Sequence, residues 1–162
     1  MNPKLRSMTS LFFVREDGLL CLYRIGSRVA NHLYVGACGG HFEQPELDDP
    51  TACALREMWE ELGLKSEDIE GLTLRYVTLR YYRGEIRQNY YFFARLRGER
   101  TLVSTEGNLQ FFTWEELKSV PMPVSARHMM DHYLAQGRFT DYRYAGTTEP
   151  GGTRFVRLES FD

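Results

Sequence analysis

The chain has 162 residues, which suits one domain over 1–162, and 43% of them are hydrophobic and 14% aromatic, enough for a sizeable core. Its formal net charge is −2, which argues against a dedicated nucleic-acid binder, since such proteins carry a basic excess. Cys21, Cys38 and Cys53 are odd in number and form no C-x-x-C, so neither a disulfide framework nor a zinc site is expected.

The N-terminal stretch holds one short apolar run, residues 11–14, too short for a signal peptide or a membrane span. A reduced, cytoplasmic location with no membrane partner is the expectation. Residues 5–15 and 19–25 predict two strands around Asp17-Gly18, a strong hairpin dipeptide. Their apolar runs are continuous, which predicts strands covered on both faces. Residues 26–32 predict a polar loop. Arg24 and Arg28 there could reach a phosphate, although a surface arginine is more often only solvated. Residues 32–38 predict a third strand ending at Gly39-Gly40, a pair that permits sharp turns and close approach.

Residues 50–62 predict a helix, with Asp48 or Asp49 as its cap, Pro50 in the first position and Gly63 as a left-handed stop. At about 100° per residue, Glu57, Glu60 and Glu61 share one arc of about 100°. Ala52, Leu55, Met58, Trp59 and Leu62 fall on roughly the opposite side. The expectation is a core-facing side that buries Trp59 and an outer side that presents three carboxylates.

Residues 72–82 and 86–96, rich in β-branched and aromatic residues and separated by Gly84, predict a long antiparallel pair. Most of the aromatics at 90–93 are expected in the core, with a base-binding pocket as the other reading. Arg87, Gln88 and Asn89 become substrate-contact candidates if they face a cleft. Residues 109–114 predict another strand, Pro121-Met122-Pro123 a hinge, and Val124–Ala135 a second helix stopped by Gly137. A weak hairpin is expected at 138–162, with strands over 139–144 and 155–158. The order of elements is that of an α+β or mixed α/β fold.

Three acids on one helix face repel each other, by a few tenths of a kcal/mol per pair where the face is solvated. The plain reading is a solvated acidic face. A hard divalent cation such as Mg²⁺, which takes oxygen ligands, would reverse the sign of that repulsion. The acids belong to a longer string: Gly40, five residues, Glu46, and then Arg56-Glu57-Met58-Trp59-Glu60-Glu61-Leu62-Gly63-Leu64. This string resembles the Nudix box. Every fixed residue type of that motif is present. The departure is the gap from Glu46 to Arg56, nine residues where the motif has seven. A loop before the helix absorbs two residues at little entropic cost.

The resemblance covers about residues 5–136. It implies a Nudix-type α/β/α sandwich with a mixed central sheet and the box helix after a strand–loop, leaving 138–162 as a C-terminal β elaboration. It implies Mg²⁺, with Mn²⁺ as substitute, held by Glu57, Glu60, Glu61 and the carbonyl at Gly40. Glu57 is either a metal ligand or the general base. Arg56 would hold the glutamates, Glu46 would support them, and Glu106 is the candidate for a further carboxylate from outside the box. Arg24, Arg28, Arg87 and Tyr90 are the substrate-binding candidates. The implied activity is cleavage of a diphosphate bond in a nucleoside diphosphate linked to a group X, a small nucleotide-type substrate. Two alternatives are a Nudix-like domain that binds nucleotide without turnover, and an isopentenyl diphosphate isomerase-like enzyme with Cys38 as nucleophile. The identity of X and the oligomeric state are open; the long apolar strand pair could support a homodimer.

Overall fold

The computed structural model describes residues 2–26 and 32–159. Strands β1 (Lys4–Arg15) and β2 (Gly18–Arg24) form the expected hairpin, but they pair only near its turn, from Phe13↔Leu20 to Arg15↔Gly18. Beyond that they splay, and the returning chain fills the gap. Strand β3 (Leu33–Gly36) pairs with β2, and the segment after it bonds to β1. The third strand is shorter than expected because its continuation changes partner.

The long pair is β4 (Ile69–Tyr82) and β5 (Glu85–Leu96), antiparallel as expected, with β5 running parallel to β1 from Lys4↔Glu85 to Phe13↔Ala94. Strand β6 (Gly107–Thr113) adds to β2. Strands β7 (Arg143–Glu149) and β8 (Gly152–Leu158) extend the sheet past β4, β7 parallel to it. The sheet is mixed, in the order β3-β2-β1-β5-β4-β7-β8, with β6 paired to β2.

Helix α1 (Pro50–Leu62) covers one face of the sheet and α3 (Val124–Ala135) the other, so the architecture is the expected α/β/α sandwich. The alternation of side chains along each strand feeds both layers. Leu11, Phe13 and Phe92 pack under α1, whereas Phe12, Tyr91 and Phe93 pack under α3. That is why the apolar runs in β1 and β5 are continuous. Among the described residues, no helix is long and apolar enough to cross a membrane.

Asp49 caps α1, accepting the Ala52 N–H at 3.0 Å, and Gly63 ends it in the left-handed region at φ 67°. The expected orientation of α1 is corrected. Its buried residues are Cys53, Ala54, Met58 and Glu61, while Trp59 is 54% exposed, with Lys65 lying over its ring. The helix is rotated so that the acidic arc overlaps the buried one.

Two further corrections concern the C-terminal half. Trp114 is no strand end: Thr113 accepts the Glu116 N–H and Glu116 the Thr113 N–H, and this reciprocal cap starts a short helix, α2 (Trp114–Leu117). Phe139 lies in a turn of 3₁₀ helix (Gly137–Phe139), and the strand expected at 139–144 starts only at Arg143. Arg75 holds this connection by donating to the carbonyls of Gly137, Thr140 and Tyr142.

Candidate active site

The segment after β3 is pinned to β1 by alternate residues. Leu11 N–H donates to the Cys38 carbonyl at 2.8 Å, Thr9 N–H to the Gly40 carbonyl at 2.9 Å, and Phe42 N–H to the Ser7 carbonyl at 3.1 Å. Gly39 and His41, between them, turn their backbone groups the other way, toward α1. Gly39 N–H donates to Glu61 Oε2 at 3.4 Å, and the His41 carbonyl accepts from Arg56 at 3.0 Å. The same alternation puts the Gly39 carbonyl on the α1 side. The Gly40 carbonyl, expected to face a metal, faces β1 instead.

Backbone approach requires a glycine at 39, whereas Gly40 leaves room for the Glu57 side chain. A Cβ on Gly39, whose φ is 152°, would strike the Thr9 carbonyl, and one on Gly40 would strike the carboxylate of Glu57. Glu57 therefore sits directly on the Gly40 backbone. Glu61 lies one turn on, 7% exposed, accepting the Gly39 N–H. Burial raises the pKa of Glu61, and the adjacent charge of Glu57 raises it further.

Arg56 organises the rest. Its Nε and one terminal nitrogen bind the buried Glu46, and its other terminal nitrogen donates to Glu57 and to Glu60, 3.1 Å each. The hydrogen bond from Arg56 holds Glu46 down at about 2. Glu60 is the open member of the set, its side chain 52% exposed. Among the described residues no three His, Cys, Asp or Glu side chains converge into a ready cage for a metal ion. The Arg56 guanidinium bridges Glu57 and Glu60.

Glu61, Gly39 and Gly40 border a cavity of about 180 Å³ on the α3 side of the sheet. Arg24 and Arg87 line it, as does Asn89. Tyr90 does not: one step along β5 it faces the α1 layer and packs on Phe42 with ring centroids 5.2 Å apart. Gln88 shares that face, accepting from Ser7. Glu106 pairs with Arg24 at 3.5 Å, and its charge is felt by Glu61. Arg28 lies outside the described residues. Cys38 borders the cavity but is buried, and burial pushes its thiol well above the ordinary range, so it is no ready nucleophile. Arg80 and Ser125 also line the cavity. Neither stands out in the sequence; each is marked only by the strand register or the helix start that brings it there.

The sequence matches the family profile described as the NUDIX domain over residues 4–133. The chain belongs to the Nudix family. It is thereby a hydrolase acting on phosphorus-containing anhydrides. Strands β7 and β8 lie beyond the matched residues. No curated relative matches the sequence. Among solved structures, this Nudix chain is similar to a MutT protein from Bacillus halodurans, with 21% identity, a TM-score of 0.66, and 93% of this chain and 97% of that one covered. It is similar to the ORF135 protein of E. coli, with 20% identity, TM-score 0.65 and coverage of 86% and 96%. It is also similar to an Ap4A hydrolase of C. elegans, with 14% identity, TM-score 0.64 and coverage of 85% and 99%. These likenesses establish a shared fold.

Proposed function

We propose that the chain is a Mg²⁺-dependent hydrolase, with Mn²⁺ able to substitute, that cleaves a diphosphate bond in a nucleoside diphosphate linked to a further group X. The observation that carries this reading is the Glu57–Glu61 pair, two adjacent carboxylates seated against Gly39-Gly40, of which Glu61 borders a cavity. Burying one carboxylate beside another is unfavourable unless a cation offsets it. The donor set suits a hard ion: carboxylate oxygens and a backbone carbonyl. When bound, Mg²⁺ supplies charge neutralisation of the diphosphate and a more acidic water.

The remaining roles belong to the chain. Glu57, Glu60 and Glu61 are the metal-facing carboxylates, and the Gly39 carbonyl takes the part expected of Gly40. Glu57 keeps its second reading as general base. Arg56 positions Glu57 and Glu60 through fixed guanidinium hydrogen bonds, and Glu46 anchors Arg56 in turn. Glu106 is the further carboxylate, oriented by Arg24. The names MutT and Ap4A hydrolase borne by fold relatives are in keeping with a small nucleotide-type substrate.

The test is release of phosphate or nucleotide from a panel of nucleotide substrates, with Mg²⁺ and with EDTA, beside Glu60→Gln. Magnesium-dependent cleavage of at least one substrate, lost in the variant, is the expected result. Nucleotide binding without cleavage across the panel would overturn it in favour of a binding domain.

A further inference from the structure

The wall of the cavity facing Glu61 carries chemistry that metal binding does not use. Arg80 of β4 is the direct register partner of Arg87 on β5, which is the direct partner of Arg6 on β1. Register partners point to the same face, so three arginines form a row across three adjacent strands. Like charges set directly opposite each other destabilise a sheet. Glu85 relieves part of this, lying 3.4 Å from Arg6 and 3.5 Å from Arg87. Among the described residues the Arg80 guanidinium meets only the Tyr82 ring, 4.6 Å from its carbon, and it shares that ring with Arg87 at 5.0 Å. The row has more positive charge than its one carboxylate balances.

The start of α3 closes the same cavity, which is lined by Pro123, Val124, Ser125 and Ala126. Pro123 is the cap residue and offers no side-chain hydrogen bond, so the first N–H groups of this 12-residue helix lack a side-chain acceptor. Ser125 is 7% exposed, lines the cavity, and has no side-chain hydrogen bond among the described residues. The Arg87 Nε makes no hydrogen bond, and its ion-pair partner, Glu85 Oε2, stands off at 3.5 Å. The Ser125 hydroxyl, a helix N-terminus and the Arg80 and Arg87 side chains thus border one space. Each favours negative charge.

We infer that this wall is an anion subsite, which takes a phosphoryl group of the substrate other than the one held against the box carboxylates. Resting on the hydrolase reading, this narrows the substrate to molecules with a further phosphoryl group: a longer polyphosphate chain, or a group X that is itself phosphorylated. A diphosphate joined to a neutral sugar leaves the subsite unfilled.

Binding alone provides the first test, so its outcome does not depend on turnover. Inorganic phosphate and pyrophosphate are titrated by calorimetry in EDTA. The unaltered chain is expected to bind pyrophosphate saturably, more weakly as salt rises. Arg80→Gln combined with Arg87→Gln should weaken this at least tenfold, and Ser125→Ala about threefold, with circular dichroism reporting retained folding. Absence of saturable binding, or equal binding by the arginine variants, overturns the proposal. A second arm distinguishes the two sources. If the group comes from the chain, the arginine variants should raise KM for a nucleoside triphosphate; if from X, for a nucleoside diphosphate–sugar phosphate. KM for the neutral-sugar compound should not move, and an equal rise for all three compounds also overturns the proposal.

Discussion

Helices α1 and α3 are nearly equal in length, 13 and 12 residues, and cover opposite faces of one sheet, yet they meet it in different ways. α3 buries Ala126, Met129, Met130, Tyr133 and Leu134 against an aromatic layer that includes Tyr76, Phe93 and Tyr144. Tyr76 there meets His132 at 2.7 Å, a neutral pair. α1 buries only Cys53, Ala54 and Met58 of its apolar residues, and with them a carboxylate, Glu61. Its polar contacts run through Arg56 to three glutamates. One helix is placed mainly by apolar area, with neutral hydrogen bonds from His128 and His132 beside it. The other is placed by a charge network that leaves a carboxylate where burial and a like charge both oppose it. The α3 layer is built for stability, whereas the α1 layer gives up stability to hold a particular arrangement of oxygens.

The sharpest way to break this comparison is to neutralise the carboxylates. Glu60→Gln and Glu61→Gln should each lower kcat by at least about 100-fold. Glu61→Gln should melt no lower than the parent, since the charge removed is one that folding disfavours. A loss of melting temperature with full turnover would reverse the roles assigned to the two layers. On the other face, Met129→Ala should cost about 3 kcal/mol in denaturant unfolding, because Met129 is fully buried, with kcat of the folded fraction near the parent value. Arg56→Ala should cost about 2 kcal/mol. This lies below the roughly 3–5 kcal/mol for stranding a fully buried charge, since Arg56 keeps 21% of its side-chain surface in water. Unlike Met129→Ala, it should also reduce kcat.

The pH dependence of stability separates the two kinds of carboxylate within the α1 layer. Glu61 has its folded pKa raised, so the folded state binds more protons than the unfolded one, and stability in EDTA falls as pH rises from the ordinary carboxylate range toward that raised value. Glu46 has its folded pKa lowered to about 2, so its contribution is present above the ordinary carboxylate pKa and is lost as pH falls through that range toward 2. Chemical denaturation across pH should show both slopes, with Glu61→Gln removing only the first. The smallest expected effect is at Trp59. Trp59→Ala should change stability by less than about 1 kcal/mol, given its exposure.

Where the chain obeys one rule at a time, the fold is readable from sequence. Val124–Ala135 and Pro50–Leu62 match their expected bounds, and the β4–β5 pair is displaced by only a few residues at its ends. Trp59 departs from the expected pattern because the apolar side of α1 is not its buried side. In α1 the carboxylates lie between Cys53 and Met58 around the helix axis, so burying those two brings Glu57 and Glu61 inward and turns Trp59 out. The short helix at Trp114–Leu117 had its signal in Thr113-x-x-Glu116. In the site, the box residues announce themselves by spacing. The Arg80–Arg87 pair does not, because adjacency across strands depends on register, which no local pattern states.

The splaying of β1 from β2 has a consequence for how this scaffold could be altered. The segment carrying Gly39 and Gly40 is stitched into the sheet at Leu11 and Thr9, upstream of the connection that runs from Glu46 to α1. Length changes at Leu47-Asp48, exposed turn residues ahead of the Asp49 cap, would alter the reach of a tether without shifting either of its anchors. The turn is therefore a natural port for grafting short peptides, and the nine-residue spacing to Arg56 is one setting of an adjustable linker.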